Sequence, residues 1–299
     1  MRHPQTLRNR EALAGYLFIT PAVLGFLIFI AGPILVSAYF SLTEYKLISS
    51  PHWAGLQNYQ TLWQDELFWQ SLKVTLRYAL LALPLGLVLS LGLALLLNQK
   101  LWGVAFWRTV YYLPAVISGV AVAVLWSWIL NSEFGLLNTF LRYFGIHGPN
   151  WLGDKRTALP ALVMISLWGV GGNILIYLAG LQGIPTELYE AAAIDGAGMG
   201  RRLFNITLPL LSPVIFFNLV MGLIGVFQFF TEPFIMTQGG PEQSTLSYML
   251  YLYRNAFKYF KMGYAAALAW VLFVLVLLLT LAVFRSSPLW VHYEAQRDR

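Results

Sequence analysis

The chain has 299 residues, of which 58% are hydrophobic and 11% charged, with a net charge of +6. Soluble domains carry about 25% charged residues, so the usual water-facing charge is less than half present and lipid is the expected solvent. The positive residues stand singly between apolar runs, which argues against nucleic acid, and the absence of cysteine rules out a disulfide frame, a thiolate metal site and a redox motif.

The gaps between charged residues organise the chain. Glu11 to Glu44 leaves 32 uncharged residues, Arg77 to Lys100 leaves 22, Arg108 to Glu133 leaves 24, Arg156 to Glu187 leaves 30, Arg202 to Glu232 leaves 29 and Lys261 to Arg285 leaves 23. A spanning helix needs about 20 mostly apolar residues, so each window holds one. Backbone hydrogen bonds must close within each span in lipid, which makes the spans helical. The expected fold is an all-α membrane protein: one domain over residues 1–299, with six spans near 14–41, 78–98, 109–131, 158–180, 212–231 and 263–284. The first apolar run is far longer than the roughly 7–15 residues of a signal peptide core, so it reads as a retained anchor. Between the first two spans, Trp53, Tyr59, Trp63, Phe68 and Trp69 suit a helix lying along the membrane interface.

Six spans put both termini on one side with the loops 99–108 and 181–211. That side holds 10 of the 19 Lys and Arg residues on less chain, which favours placing it in the cytoplasm.

One segment contrasts with its surroundings: EAAAIDGAGMGRRLFNITLPLLSP, Glu190–Pro213, between two apolar runs. Pro185 and Thr186 can start a helix, with Glu187 and Glu190 at its positive end. Ala191–Ala193 extend it, Gly196, Gly198 and Gly200 end it, and a second short helix through Arg201–Thr207 leads into the fifth span. Physics alone leaves a docking knob and an ordinary connecting loop level.

The spacing Glu190-Ala191-Ala192, three residues, Gly196, nine residues, Ile206-x-Leu208-Pro209 resembles the EAA signature of permeases in binding-protein-dependent ABC importers. MTQGGPEQSTLSYMLYLYRNAF at Met236–Phe257 and MGYAAALAWVLF at Met262–Phe273 are similar to the same family; GLQNY at Gly55–Tyr59 is a weaker match. The Gly239–Pro241 turn resembles the carbohydrate branch that includes maltose, lactose and glycerol-phosphate permeases. The resemblance implies that residues 186–209 are a coupling segment seated on a cytoplasmic ATPase dimer, with Glu190, Ala191, Ala192 and Gly196 in contact and Arg201 and Arg202 at its edge. It implies two further partners, a second homologous permease and an extracytoplasmic solute-binding protein, and a place in a bacterial or archaeal cytoplasmic membrane. This chain is then a non-catalytic subunit binding no cofactor, with ATP and Mg held by the ATPase. It has no GxxxxGK[ST] phosphate loop of its own. A thousandfold concentration of solute costs about 4 kcal/mol, which such a partner would supply.

Polar side chains inside spans are expensive and face a cavity or another helix. The candidates for the solute path are Ser118, Asn173, Tyr177, Asn218, Gln228, Thr231 and Glu232, the last three at helical spacing on one face, with the aromatic residues Trp168 and Phe229 beside them. The resemblance to maltose-type permeases adds Gly169 and Gly172. Asn173 and Asn218 could equally bond between helices, and Gly169, Gly171 and Gly172 could only allow close packing. None of the six windows supplies Lys or Arg, which favours a neutral solute such as a sugar or polyol over glycerol phosphate. A stand-alone secondary transporter is the alternative from another class, opposed by the absence of visible inverted halves.

Overall fold

The structure is a computed structural model that describes residues 4–99 and 102–292. Arg2, Lys100, Arg297 and Arg299, all counted in the orientation argument, lie outside the described residues. In chain order the first helices are α1 (Pro4–Phe26), α2 (Gly32–Ser41), α3 (Gln57–Gln64), α4 (Glu66–Leu97), α5 (Val104–Val116), α6 (Gly119–Ile129) and α7 (Leu136–Tyr143). There follow α8 (Ala158–Trp168), α9 (Gly171–Gln182), α10 (Thr186–Ile194), α11 (Met199–Arg202), α12 (Leu208–Phe227), α13 (Tyr248–Tyr253) and α14 (Met262–Ser286). Among the described residues, the stretches Glu11–Ser41, Glu66–Leu97, Met199–Phe227 and Met262–Leu289 are long and apolar enough to cross a membrane. The bent pairs α5/α6 and α8/α9 raise the candidates to as many as six. The chain is therefore a multi-pass, mostly helical membrane protein, and it forms two compact units.

One unit comprises Met1–Gln64 and Leu252–Val271. Helices α1 and α2 run on through one wide turn at Leu27–Ala31, where Gly32 N–H donates to Leu27 O. Pro33 explains the widening, because it has no N–H to give the carbonyl of Phe29. Within Glu11–Ser41 only Ser41, at the far end, is buried, and an apolar surface on every side of the rest suits lipid. After it, Thr43–Glu44 pairs antiparallel with His52–Trp53. Asn58 ties this corner together: its Nδ2–H donates to Ser41 O at 2.9 Å and to Thr43 O at 2.8 Å. Tyr59 OH donates to Ser41 Oγ at 2.9 Å, so the GLQNY stretch is a clasp. Replacing Asn58 by leucine should remove both bonds and lower stability by about 1–3 kcal/mol, read as an earlier thermal midpoint in detergent. On the other arm, a Cβ on Gly263 would lie 2.1 Å from Thr43 O, so only glycine lets α14 begin against this corner.

The second unit comprises Asp65–Tyr251 and Leu272–Arg299. Asp65 caps α4 by accepting from Leu67 N–H at 2.9 Å, and α4 then packs against α8, α9 and α12. Two apolar clusters mark the ends of this stack. One holds Val74, Tyr78, Leu159, Leu162, Ile165 and Phe229; the other holds Ala94, Leu97, Tyr177, Leu181, Ile184 and Leu211.

Several span expectations are corrected. The helix of the second expected span, α4, begins at Glu66 rather than 78, carrying Lys73 and Arg77 inside it, because a helix continues past the apolar stretch that charge gaps measure. Phe68, expected at the membrane interface, is buried. The third window is broken between α5 and α6 with a bend of 100°. Ile117 and Ser118 are extended there, after Pro114 has removed one helical hydrogen bond. The fourth bends by 45° between α8 and α9. The fifth starts at Met199 and ends at Phe227, earlier than expected at both ends.

A bent-span cavity and an exposed helical elbow

The segment singled out by its polarity forms a sharply defined elbow. Helix α10 starts after Pro185 and ends at Asp195. Gly196 follows with φ +73°, a left-handed conformation that favours glycine. Gly196 N–H donates to Ala193 O at 3.1 Å and Ala197 N–H to Ala192 O at 2.8 Å, the paired bonds of a Schellman turn. Gly198 does not end this helix, as the sequence suggested; it caps α11, which continues through the wide turn Leu203–Thr207 into α12. The expected second short helix is thus the first part of a longer rod. Tyr189 OH and Thr207 Oγ1, 3.0 Å apart, brace the two arms.

Glu190, Ala191, Gly196 and Arg201 are exposed and Ala192 is half-buried. Arg202 turns inward, and its Nε–H donates to Ala197 O at 2.8 Å. Beside them stand two apolar side chains that the sequence reading missed, Ile194 at 87% and Met199 at 89% exposed. Apolar residues in an apolar chain carry no contrast; only their exposure on a polar elbow singles them out.

Between α4, the bend of α8/α9 and α12 lies a cavity of about 150 Å³, lined among others by Tyr78, Gly86, Ser166, Gly169, Asn173 and Gly222. Its position follows from the bend. At Gly169 the helix stops, with Gly169 N–H donating to Ser166 O at 3.2 Å, and restarts at Gly171. Non-helical backbone at membrane depth is tolerated only where protein covers it or a wet cavity solvates it. Gly171 restarts α9 hard against α5: a Cβ there would lie 2.4 Å from Tyr111 O.

Of the residues expected along a solute path, Gly169 and Asn173 line this cavity. Trp168 makes an edge contact with Trp126, ring centres 5.9 Å apart. Gly172 has open space where a side chain would be. Ser118 sits in the α5/α6 break, and a Cβ on the adjacent Gly119 would lie 3.7 Å from Thr231 Cγ2. Phe229 is buried and stacks on Tyr78 at 3.7 Å, which makes it the wall behind the cavity. The shared face of Gln228, Thr231 and Glu232 is corrected: α12 stops at Phe227, Gln228 is an exposed cap, and a new wide turn begins at Pro233. Pro233 has no N–H for the carbonyl of Phe229, so helical spacing does not carry through. Asn218 satisfies itself within α12, its Nδ2–H donating to Val214 O at 3.0 Å.

Residues 82–289 match the family described as binding-protein-dependent transport system inner membrane component, and the chain belongs to it. It is 45% identical over 303 residues to a probable ABC transporter permease protein, YesP, of Bacillus subtilis (strain 168), covering 100% of this chain and 97% of that one. To MalF, the trehalose/maltose transport system permease protein of Thermococcus litoralis, it is 35% identical, covering 93% and 95%. A solved structure of a bacterial alginate ABC transporter, in complex with an alginate pentasaccharide-bound periplasmic protein, matches with a TM-score of 0.83 at 25% identity, covering 96% of this chain and 97% of that one.

Proposed function

We propose that this chain forms half of the translocation pathway of an ATP-driven importer that takes up a neutral sugar or polyol. The cavity at the bend of α8/α9 carries the reading, because it opens beside irregular backbone at membrane depth with Asn173 and Ser166 on its wall. In this reading the six candidate stretches are six spans and both termini are cytoplasmic. The elbow at 186–209 seats in a groove of the ATPase dimer through Glu190, Ala191, Ala192 and Gly196, with Ile194 and Met199 as apolar plugs and Arg201 at the rim. ATP and Mg stay on the ATPase. Ligand sites usually measure about 300–1,000 Å³, so 150 Å³ is too small for an oligosaccharide. A second permease would supply the facing wall, and a solute-binding protein would deliver the sugar, a role that the pentasaccharide-bound periplasmic protein in complex with the alginate transporter makes a natural parallel.

The test is co-purification of the chain with its partners, reconstitution, and a screen for solutes that stimulate ATP hydrolysis in the presence of the binding protein. Neutral sugars should stimulate it, and glycerol phosphate should not. Asn173→Leu should raise the sugar concentration for half-maximal uptake several-fold, about 1 kcal/mol for one lost hydrogen bond. Uptake that persists without an ATPase and collapses with the ion gradient would overturn the reading.

A further inference from the structure

Helix α7 presents an apolar face that nothing in its own unit covers. Leu136, Phe140, Tyr143 and Phe144 are exposed, Tyr143 at 92%, and at positions i, i+4, i+7 and i+8 they share one side of the helix. Phe140 and Phe144 meet edge to face with ring centres 5.1 Å apart. The opposite side is pinned. Asn138 is buried; its Nδ2–H donates to Ser132 O at 3.1 Å and Pro149 O at 3.2 Å, and its Oδ1 accepts from Trp151 Nε1–H at 2.7 Å. Leu137 packs on the core cluster that contains Tyr78 and Phe229. The helix therefore cannot roll to hide its aromatic rings.

We propose that this face is immersed in the headgroup and upper acyl region of the bilayer, making α7 a fixed interfacial anchor at the end of the unit away from the elbow. Three observations favour lipid over a protein arriving from water. First, the surface continues one already turned outward: α6 exposes Val120, Val124 and Trp128 along one side, and the chain passes through exposed Phe134 into α7. Second, the face offers no free charge to steer a soluble partner. Arg142, the one charged residue of α7, lies well off this face at 100° per residue and is held there by its donations from Nε to the backbone carbonyl of Asn138 and from Nη2 to that of Glu133. Third, α7 sits on the cluster at one end of the stack, whereas Tyr189 and Ile206 of the elbow sit on the cluster at the other. Aromatic residues concentrate at membrane interfaces, where an amphipathic helix buries its apolar side about 5–10 Å deep. The inference needs only a membrane protein and does not depend on which solute is carried.

The chain has no cysteine, so single nitroxide labels can be attached at Phe140→Cys and Tyr143→Cys, with Glu133→Cys as the water-facing reference. In the full chain in lipid nanodiscs, collisions with oxygen and with a water-soluble nickel chelate report depth. Labels at 140 and 143 should show several-fold higher oxygen-to-nickel ratios than the label at 133, at a depth of roughly 5–10 Å. Nickel access equal to that at 133 would place the face in water and overturn the proposal. Exclusion of both reagents would mean that protein covers it, and would overturn it equally. The two labelled positions are exposed, so the labels are read independently of each other and of transport.

Discussion

Gly196→Val should abolish solute-stimulated ATP hydrolysis in the assembled transporter while leaving the chain folded and inserted. Gly196 holds φ +73°, and a side chain in that conformation costs roughly 1–2 kcal/mol, more for a β-branched one. A Cβ there would meet nothing within 4 Å, so the penalty falls on the backbone and not on the core. Relief of the strain would break the bonds from Gly196 and Ala197 to Ala193 and Ala192. The turn would then open and re-aim Ile194 and Met199. The signature is a split: normal expression and a thermal midpoint lowered by only a few degrees, with uptake and stimulated hydrolysis lost. A valine variant that transports at the normal rate would show that this turn does not carry the motion.

Gly171→Val should have the opposite signature, a loss of folded protein. The added Cβ would lie 2.4 Å from Tyr111 O and 2.9 Å from Tyr112 Cα. Both are backbone atoms of α5 and neither can swing aside, so α9 would have to shift. Overpacking costs about 1–3 kcal/mol and more where backbone resists. Gly172→Ala is the matched control, since that position has no atom within 4 Å of a new Cβ. Thermal unfolding in detergent should separate the two neighbours clearly; equal midpoints would refute the close approach.

The elbow was legible because its grammar is local: acids at a helix start, alanines within, and a glycine where the backbone turns left-handed. The apolar stretches were legible because composition decides whether a segment suits lipid. Their breaks were not. Ile117 and Ser118 carry no sign of an extended backbone beyond Pro114 three residues earlier, and a charge gap measures length without continuity. The same limit undid the shared face of Gln228, Thr231 and Glu232, which assumed a helix that ends at Phe227. Phe229 was named because it is aromatic and close in sequence to the polar candidates, and only its stack on Tyr78 ties it to the wall of the cavity. Asn173 was named for its residue type and Gly169 from the resemblance, yet only the 45° bend explains why they border empty space.

Helix α9 runs without interruption from the cavity at Asn173 to Gln182, and Ile184 just beyond it is buried in the cluster that Tyr189 of α10 also packs against. A rod of 12 residues is about 18 Å long, and a push at either end arrives at the other. Under the proposed coupling, such a joint would transmit in both directions, and thermodynamic reciprocity would apply: whatever factor the elbow's partner adds to the grip on solute, a lodged solute would return to the grip on that partner. An occupied cavity would therefore announce itself at the elbow, and an empty one would stay silent there.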